Sequence, residues 1–142
     1  MNNLMKLSLF LLVAMSGAAL ADPVAVIVNS ANSQGLSQAD VRSIYGDKTI
    51  AWANGDKITI YNLPVEDGAA ETFARKVLGM SARDAASNES NRAINNTSRN
   101  PQQTKRAALV ASIVAKNPDA IGYVAKDIAE GKPGIKVLFT LE

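Results

Sequence analysis

The 142-residue sequence predicts an α/β fold, a three-layer α/β/α sandwich on a mixed, mostly parallel sheet. Two observations carry the prediction. Apolar runs of strand length alternate along the chain with segments of helical periodicity, and the strand segments are apolar throughout, as they must be when helices cover both faces of a sheet.

The first strand is VAVIVN, residues 24–29, a continuous β-branched run ending at Asn29-Ser30. LSQADVRSIYG follows as a helix, with Ser37 and Asp40 forming a capping box, Val41, Ile44 and Tyr45 on one face, and Gly46 as the stop. KITIYNL, residues 57–63, is the second strand, and Asn54-Gly55 would let it pair with TIAW as a hairpin, an option that spacing leaves open. PVEDGAAETF, residues 64–73, leads into a second helix with Phe73, Val77 and Leu78 as its buried stripe and Gly79 as its end.

Ser81 and Asp84 cap a third helix whose apolar side is only Ala82, Ala85, Ala86, Ala93 and Ile94. Residues 87–100 are rich in Asn and Ser, which compete for backbone hydrogen bonds, so this helix is expected to fray into a loop. TKRAALVASIVAKN is the fourth helix, ending at Pro118; Leu109, Val110, Ile113 and Val114 should face inward, with Leu109 and Ile113 packing beneath the sheet against Ile121 and Val137. AIGYV, 120–124, and IKVLFTL, 135–141, are the last strands, separated by the turn-rich AEGKPG. No internal repeat or linker interrupts residues 22–142, which are expected to form a single domain.

Residues 1–21 read as a secretory signal: Lys6, an apolar run from Leu7, and a small-x-small ending at Ala19-Leu20-Ala21. The apolar run is too short for a spanning helix and the cleavage point carries no cysteine, so the mature chain is expected to start at Asp22, without a membrane or lipid anchor, in the periplasm.

Absent cysteine and histidine remove thiolate nucleophiles, disulfides, the commonest general base and the commonest transition-metal ligand. No Ser/Lys or carboxylate pair stands out by spacing, so no catalytic residue, resident metal or cofactor is expected, and the chain reads as a non-enzyme. Asp47, Asp56, Glu66 and Asp67 lack EF-hand spacing and read as solvated acids rather than a cation site. Charge divides along the chain: residues 22–74 hold 3 basic and 7 acidic side chains, whereas residues 75–106 hold 7 basic and 2 acidic. Nucleic acid is a poor partner for this near-neutral total, because the basic stretch lacks aromatic residues for stacking.

The start of the second helix is the one place where local structure suggests a binding site. A strand-to-helix turn points free N–H groups outward and the helix dipole adds partial positive charge, which suits an anion. Here Glu66, Asp67 and Glu71 crowd it.

Three segments, IYGDKTIAWANG, the Leu-Gly-Met-Ser junction at 78–81 and AIGYV after Asn117-Pro118, in this order, resemble the phosphate-type periplasmic substrate-binding proteins of ABC transporters. The resemblance covers nearly the whole mature chain and implies one lobe of a two-lobed, type II periplasmic binding protein, in which solute sits in the cleft between lobes. In that family the helix-start turn reads Arg, three residues, then Ser-Gly-Thr, and the arginine, hydroxyls and backbone N–H groups clamp an oxyanion. Aligned on Phe73, this chain has Leu63 at the arginine and Asp67, Gly68 and Ala69 at Ser-Gly-Thr.

The resemblance thus implies a periplasmic solute-binding-like protein whose standard oxyanion donors are largely missing. Its ligand would be a weakly held oxyanion such as phosphate near Asn29, Ser30, Asp67, Gly68, Ala69 and Arg99, and its partner an ABC permease. The alternative is a non-transport interaction module that docks another envelope or periplasmic protein through its acidic and basic faces. Asp67 is expected to cap its own helix and plug the cradle, with Glu71 adding to the effect. On that reading, phosphate binds no better than millimolar, and Asp67→Ser combined with Leu63→Arg restores affinity.

Overall fold

The computed structural model describes residues 22–142. The proposed signal segment lies outside the described residues. Five strands and five α-helices follow in the order β1 Val24–Asn29, α1 Gln38–Tyr45, β2 Thr59–Asn62, α2 Gly68–Phe73, α3 Ala82–Ile94, β3 Gln103–Thr104, α4 Ala107–Lys116, β4 Ala120–Ala125, α5 Lys126–Ala129 and β5 Ile135–Leu141. A π-helical turn, Ala74–Leu78, continues α2 and ends at Gly79, whose φ of 71° is the left-handed conformation that glycine adopts at least cost.

The sheet order is β3-β2-β4-β1-β5. β2 runs parallel to β3 and β4, while β1 runs antiparallel to both its neighbours. Four strands therefore point one way and β1 alone opposes them. All six residues of β1 are buried, as befits an interior strand paired on both edges.

Alternation along β4 shows why there are three layers. A Cβ on Gly122 would stand 2.6 Å from Val110 Cγ1 of α4, so that face of the sheet meets α4 closely enough to exclude any side chain. The next residue, Tyr123, points to the other face and stacks on Phe73 of α2, with ring centroids 4.0 Å apart. Tyr45 of α1 meets the same Phe73 edge-on, at 4.7 Å and 61°.

Several expectations hold at residue level. Ser37 and Asp40 form both bonds of the capping box, and Ser81 caps α3 through the Asp84 amide. The hairpin that spacing leaves open at Trp52 does form: Ala51 and Lys57 make an antiparallel bridge, and Trp52 N–H donates to the Asp56 carbonyl at 2.8 Å.

Others need correction. α3 does not fray at Ser87 but continues to Ile94. The Arg92 guanidinium bonds Glu89 at 2.7 Å within the helix, and the other Glu89 oxygen accepts the Gln102 amide at 2.9 Å, so one local pair and one tertiary bond hold this end of α3 against its weak propensity. Ala93 and Ile94, assigned to its apolar side, are exposed, Ile94 at 78%. On α4 the buried residues are Val110, Ala111 and Val114; Leu109 is 43% exposed and Ile113 half-buried. Ile121 is fully buried, but Val137 of the edge strand β5 is exposed, so the expected cluster of Leu109, Ile113, Ile121 and Val137 does not form. Two elements, β3 and α5, were not expected at all.

The corrected helix face gives a direct expectation. Val110→Ala should cost about 2 kcal/mol and Leu109→Ala less than about 1 kcal/mol, because only the first leaves a cavity. Paired urea melts check the order of the two values.

Candidate functional site

The turn before α2 is built as its sequence suggests. Asp67 sits in extended conformation as the N-cap, its Oδ1 accepting the Ala69 amide at 2.9 Å, and its carbonyl accepting the Ala70 amide at 2.9 Å. The second and third amides of the helix, those of Ala69 and Ala70, are thus bonded to Asp67 itself. Gly68 is exposed and Ala69 is buried.

Glu71 does not join in. Its carboxylate reaches away to the Ala82 amide at 3.0 Å, capping α3, and takes the Arg75 Nε at 2.7 Å. The Ala82 amide and then Arg75 hold its carboxyl below the ordinary glutamate range. A lowered folded pKa means stability that is present above the unfolded pKa and lost as pH falls through the folded one, so the α2–α3 junction should loosen on the acid side.

The remaining predicted ligand residues are not brought to this turn. Because β1 opposes β4 and β2, its C-terminal end lies beside the starts of those strands: Val28 faces Ile121, and Ile121 faces Ile60. The turn follows the far end of β2, so Asn29 and Ser30 stand toward the opposite end of the strands from Gly68, the length of β2 and the width of two strand spacings apart. Asn29 is buried, donating to the Val114 carbonyl at 2.8 Å and accepting the Ala31 amide at 2.9 Å, which is a structural role. Ser30 is exposed and its amide bonds the Gly134 carbonyl. Arg99 is exposed, and its amide bonds Asp47 at 2.6 Å, near the end of α1.

Leu63, aligned with the family's arginine, is only 3% exposed. Leu63→Arg would therefore force a guanidinium into the core, and the double variant expected to restore phosphate affinity would instead lose stability.

The four acids of the tentative cation cluster also separate. Asp47 is buried against the Arg99 and Asn100 amides, contrary to its reading as a solvated acid, while Asp56 and Glu66 are exposed. Among the described residues no group of three or more metal-ligating acids exists.

What the sequence did not reveal is a polar chain beneath the turn. Tyr123 Oη bonds Asn62 Oδ1 and accepts the Leu63 amide; Asn62 Nδ2 donates to Gln102 Oε1 at 2.8 Å; Gln102 Nε2 donates to the Tyr45 carbonyl at 2.8 Å. Burial, with Asp67 nearby, pushes the Tyr123 hydroxyl up, and burial does the same for Tyr45, so both stay protonated at neutral pH. Cavities of about 170 Å³ and about 150 Å³ flank this chain, sharing Asn62, Leu78, Ala85 and Gln102 in their walls. Neither is lined by Asp67, Gly68 or Ala69. No motif marks these residues in sequence, because they come together only when β2, β4, α1 and the segment before β3 dock.

No protein-family model and no curated protein sequence matches the chain. Solved structures do. An ABC-type phosphate transport receptor from Vibrio cholerae superposes with a TM-score of 0.61 at 16% identity, over 82% of this chain and 45% of the receptor. A candidate phosphate ABC transporter substrate-binding protein from Clostridium perfringens, solved with bound phosphate, superposes with a TM-score of 0.62 at 18% identity, over 82% of this chain and 44% of its own. The chain has the fold of one lobe of such binding proteins. A candidate phosphate-binding protein from Planctomyces limnophilus agrees, at 0.60 and 18% identity, over 82% of this chain and 40% of its own. The chain spans less than half the length of each of these structures.

Proposed function

We propose that this chain is a periplasmic, solute-binding-type lobe whose inherited anion cradle is occupied by its own Asp67 carboxylate, and that it serves an ABC uptake system or another envelope protein as a non-enzymatic accessory. The observation that carries this reading is the 2.9 Å bond from the Ala69 amide to Asp67 Oδ1, which spends on the protein a donor that the fold could offer to an oxyanion. Support for the compartment comes from the signal-like residues 1–21, and the kinship of fold with an ABC-type phosphate transport receptor agrees with export. Among the described residues no helix is long and apolar enough to cross a membrane.

Phosphate should bind the mature chain no better than about 1 mM, an affinity of about 4 kcal/mol, since no side-chain cation clamps the ion and one carboxylate repels it. Asp67→Ser should tighten binding several-fold at little cost in stability, because serine caps a helix nearly as well. Isothermal titration of both proteins is the test. Micromolar binding by the unsubstituted chain would end the plugged-cradle reading.

The docking alternative is favoured by the divided charge of the chain, 3 basic and 7 acidic side chains over residues 22–74 against 7 basic and 2 acidic over residues 75–106, which offers a protein partner segments of opposite sign. Co-purification of the exported protein with a stable partner, undiminished by Asp67→Ser, would support it.

A further inference from the structure

The cavity of about 150 Å³ between the end of α1 and α3 differs in chemistry from the cradle. Arg42, Lys48 and Arg92 line it, and no acidic residue does. Leu78, Met80 and Ala85 supply an apolar wall. We propose that this cleft binds a small organic anion, with its carboxylate among Arg42, Lys48 and Arg92 and its apolar end against Leu78, Met80 and Ala85.

Arg42 and Lys48 are free for this task, and Arg92 is held beside them by Glu89. A helix end leaves four carbonyls that basic side chains often cap, yet all four of α1 are already bonded: Arg42 to the Gly46 amide, Ser43 to those of Lys48 and Thr49, Ile44 to that of Asp47, and Tyr45 to Gln102. Arg42 and Lys48 are exposed and form no ion pair among the described residues. Asp47, their neighbour in sequence, has its carboxylate on the Arg99 and Asn100 amides. Arg92 is paired with Glu89 through one terminal nitrogen only; its Nε is buried without an acceptor, an unmet donor of the kind that native proteins rarely leave unused.

Size limits the ligand. A cavity of roughly 150 Å³ lined by apolar side chains accommodates benzene, so an anion of about nine heavy atoms fits if its charged end projects to the mouth. Inorganic phosphate would meet the cations but leave the apolar wall bare; a neutral aromatic would do the reverse. The inference is independent of Asp67 and of the cradle.

Benzoate is the probe, with benzyl alcohol and inorganic phosphate as controls, in isothermal titration of the mature chain. Benzoate should bind with a Kd on the order of 0.1 mM, within the ligand-efficiency bound for its size, and at least tenfold more tightly than either control. The double variant Arg42→Gln, Lys48→Gln should weaken benzoate at least tenfold while leaving the urea midpoint unchanged, because both side chains are exposed. Ala85→Phe, which fills the apolar end, should abolish benzoate binding in a protein that still melts cooperatively. Benzoate binding no tighter than benzyl alcohol or phosphate, or benzoate affinity unaffected by the double variant, would overturn the proposal.

Discussion

Phe73→Ala is expected to lower stability by about 3 to 5 kcal/mol, among the largest effects of any single substitution in this chain. The ring is 1% exposed, lies parallel to Tyr123 within 3°, and takes the edge of Tyr45. Truncation removes buried apolar area and two aromatic contacts, each contributing about 0.5 to 1.5 kcal/mol beyond burial. Relaxation offers little relief, since Phe73 also lines the cavity of about 170 Å³ beneath the turn and its loss enlarges a space that already exists. Phe73→Leu should recover about half of the loss. Urea melts with an unchanged m-value are the measure, and a loss below about 1 kcal/mol for the alanine variant would show that the aromatic cluster is not central to the core.

Asp47→Ala is expected to cost about 3 to 5 kcal/mol. Asp47 is 8% exposed, has a φ of 62°, and accepts the Arg99 amide at 2.6 Å and the Asn100 amide at 2.7 Å. Truncation leaves two amides without their acceptor, at about 1 to 2 kcal/mol each, and alanine adds the cost of a left-handed backbone, about 1 kcal/mol. Asn100 in turn donates to the Ile58 carbonyl at 2.8 Å, so the same carboxylate ties the loop after α3 to the residue before β2. Asp47→Asn keeps the backbone preference and one acceptor and should lose about half as much. Hydrogen exchange at Arg99 and Asn100 should speed up in both variants; unchanged protection there would contradict this role for Asp47.

These two residues show what could and could not be read from sequence. Phe73 was legible, because its spacing to Val77 places it on a buried stripe before any partner is known. Asp47 was not: nothing local distinguishes an acid that meets two amides more than fifty residues away from an acid in water. The same division holds across the fold. Capping boxes, the β1 and β5 boundaries and the Asp67 cap depend on neighbours within a few residues and were legible. The reversed direction of β1 depends on its pairing with β4 and β5, partners more than ninety residues away, and that direction is what parts Asn29 and Ser30 from Gly68. The length of α3 exceeds what its Asn- and Ser-rich sequence favours, because the Glu89 bonds to Arg92 and to the Gln102 amide form only in the folded chain. The Asn62–Gln102–Tyr123 chain joins three separate elements and carries no local signature.

The place of β1 also has a bearing on the order of events in folding. The first strand of the described chain is flanked on both edges by the last two, β4 and β5, so neither edge can be closed until nearly the full length of polypeptide is present. Contacts of such long sequence separation carry a large loop-closure cost before they contribute, which slows the rate-limiting step. A chain cut short before Ala120 would hold six consecutive apolar-rich residues, Val24–Asn29, with both hydrogen-bonding edges open. Such a fragment should self-associate rather than persist as a smaller folded unit, so the C-terminal strands act as the lock that makes the N-terminal one safe to expose.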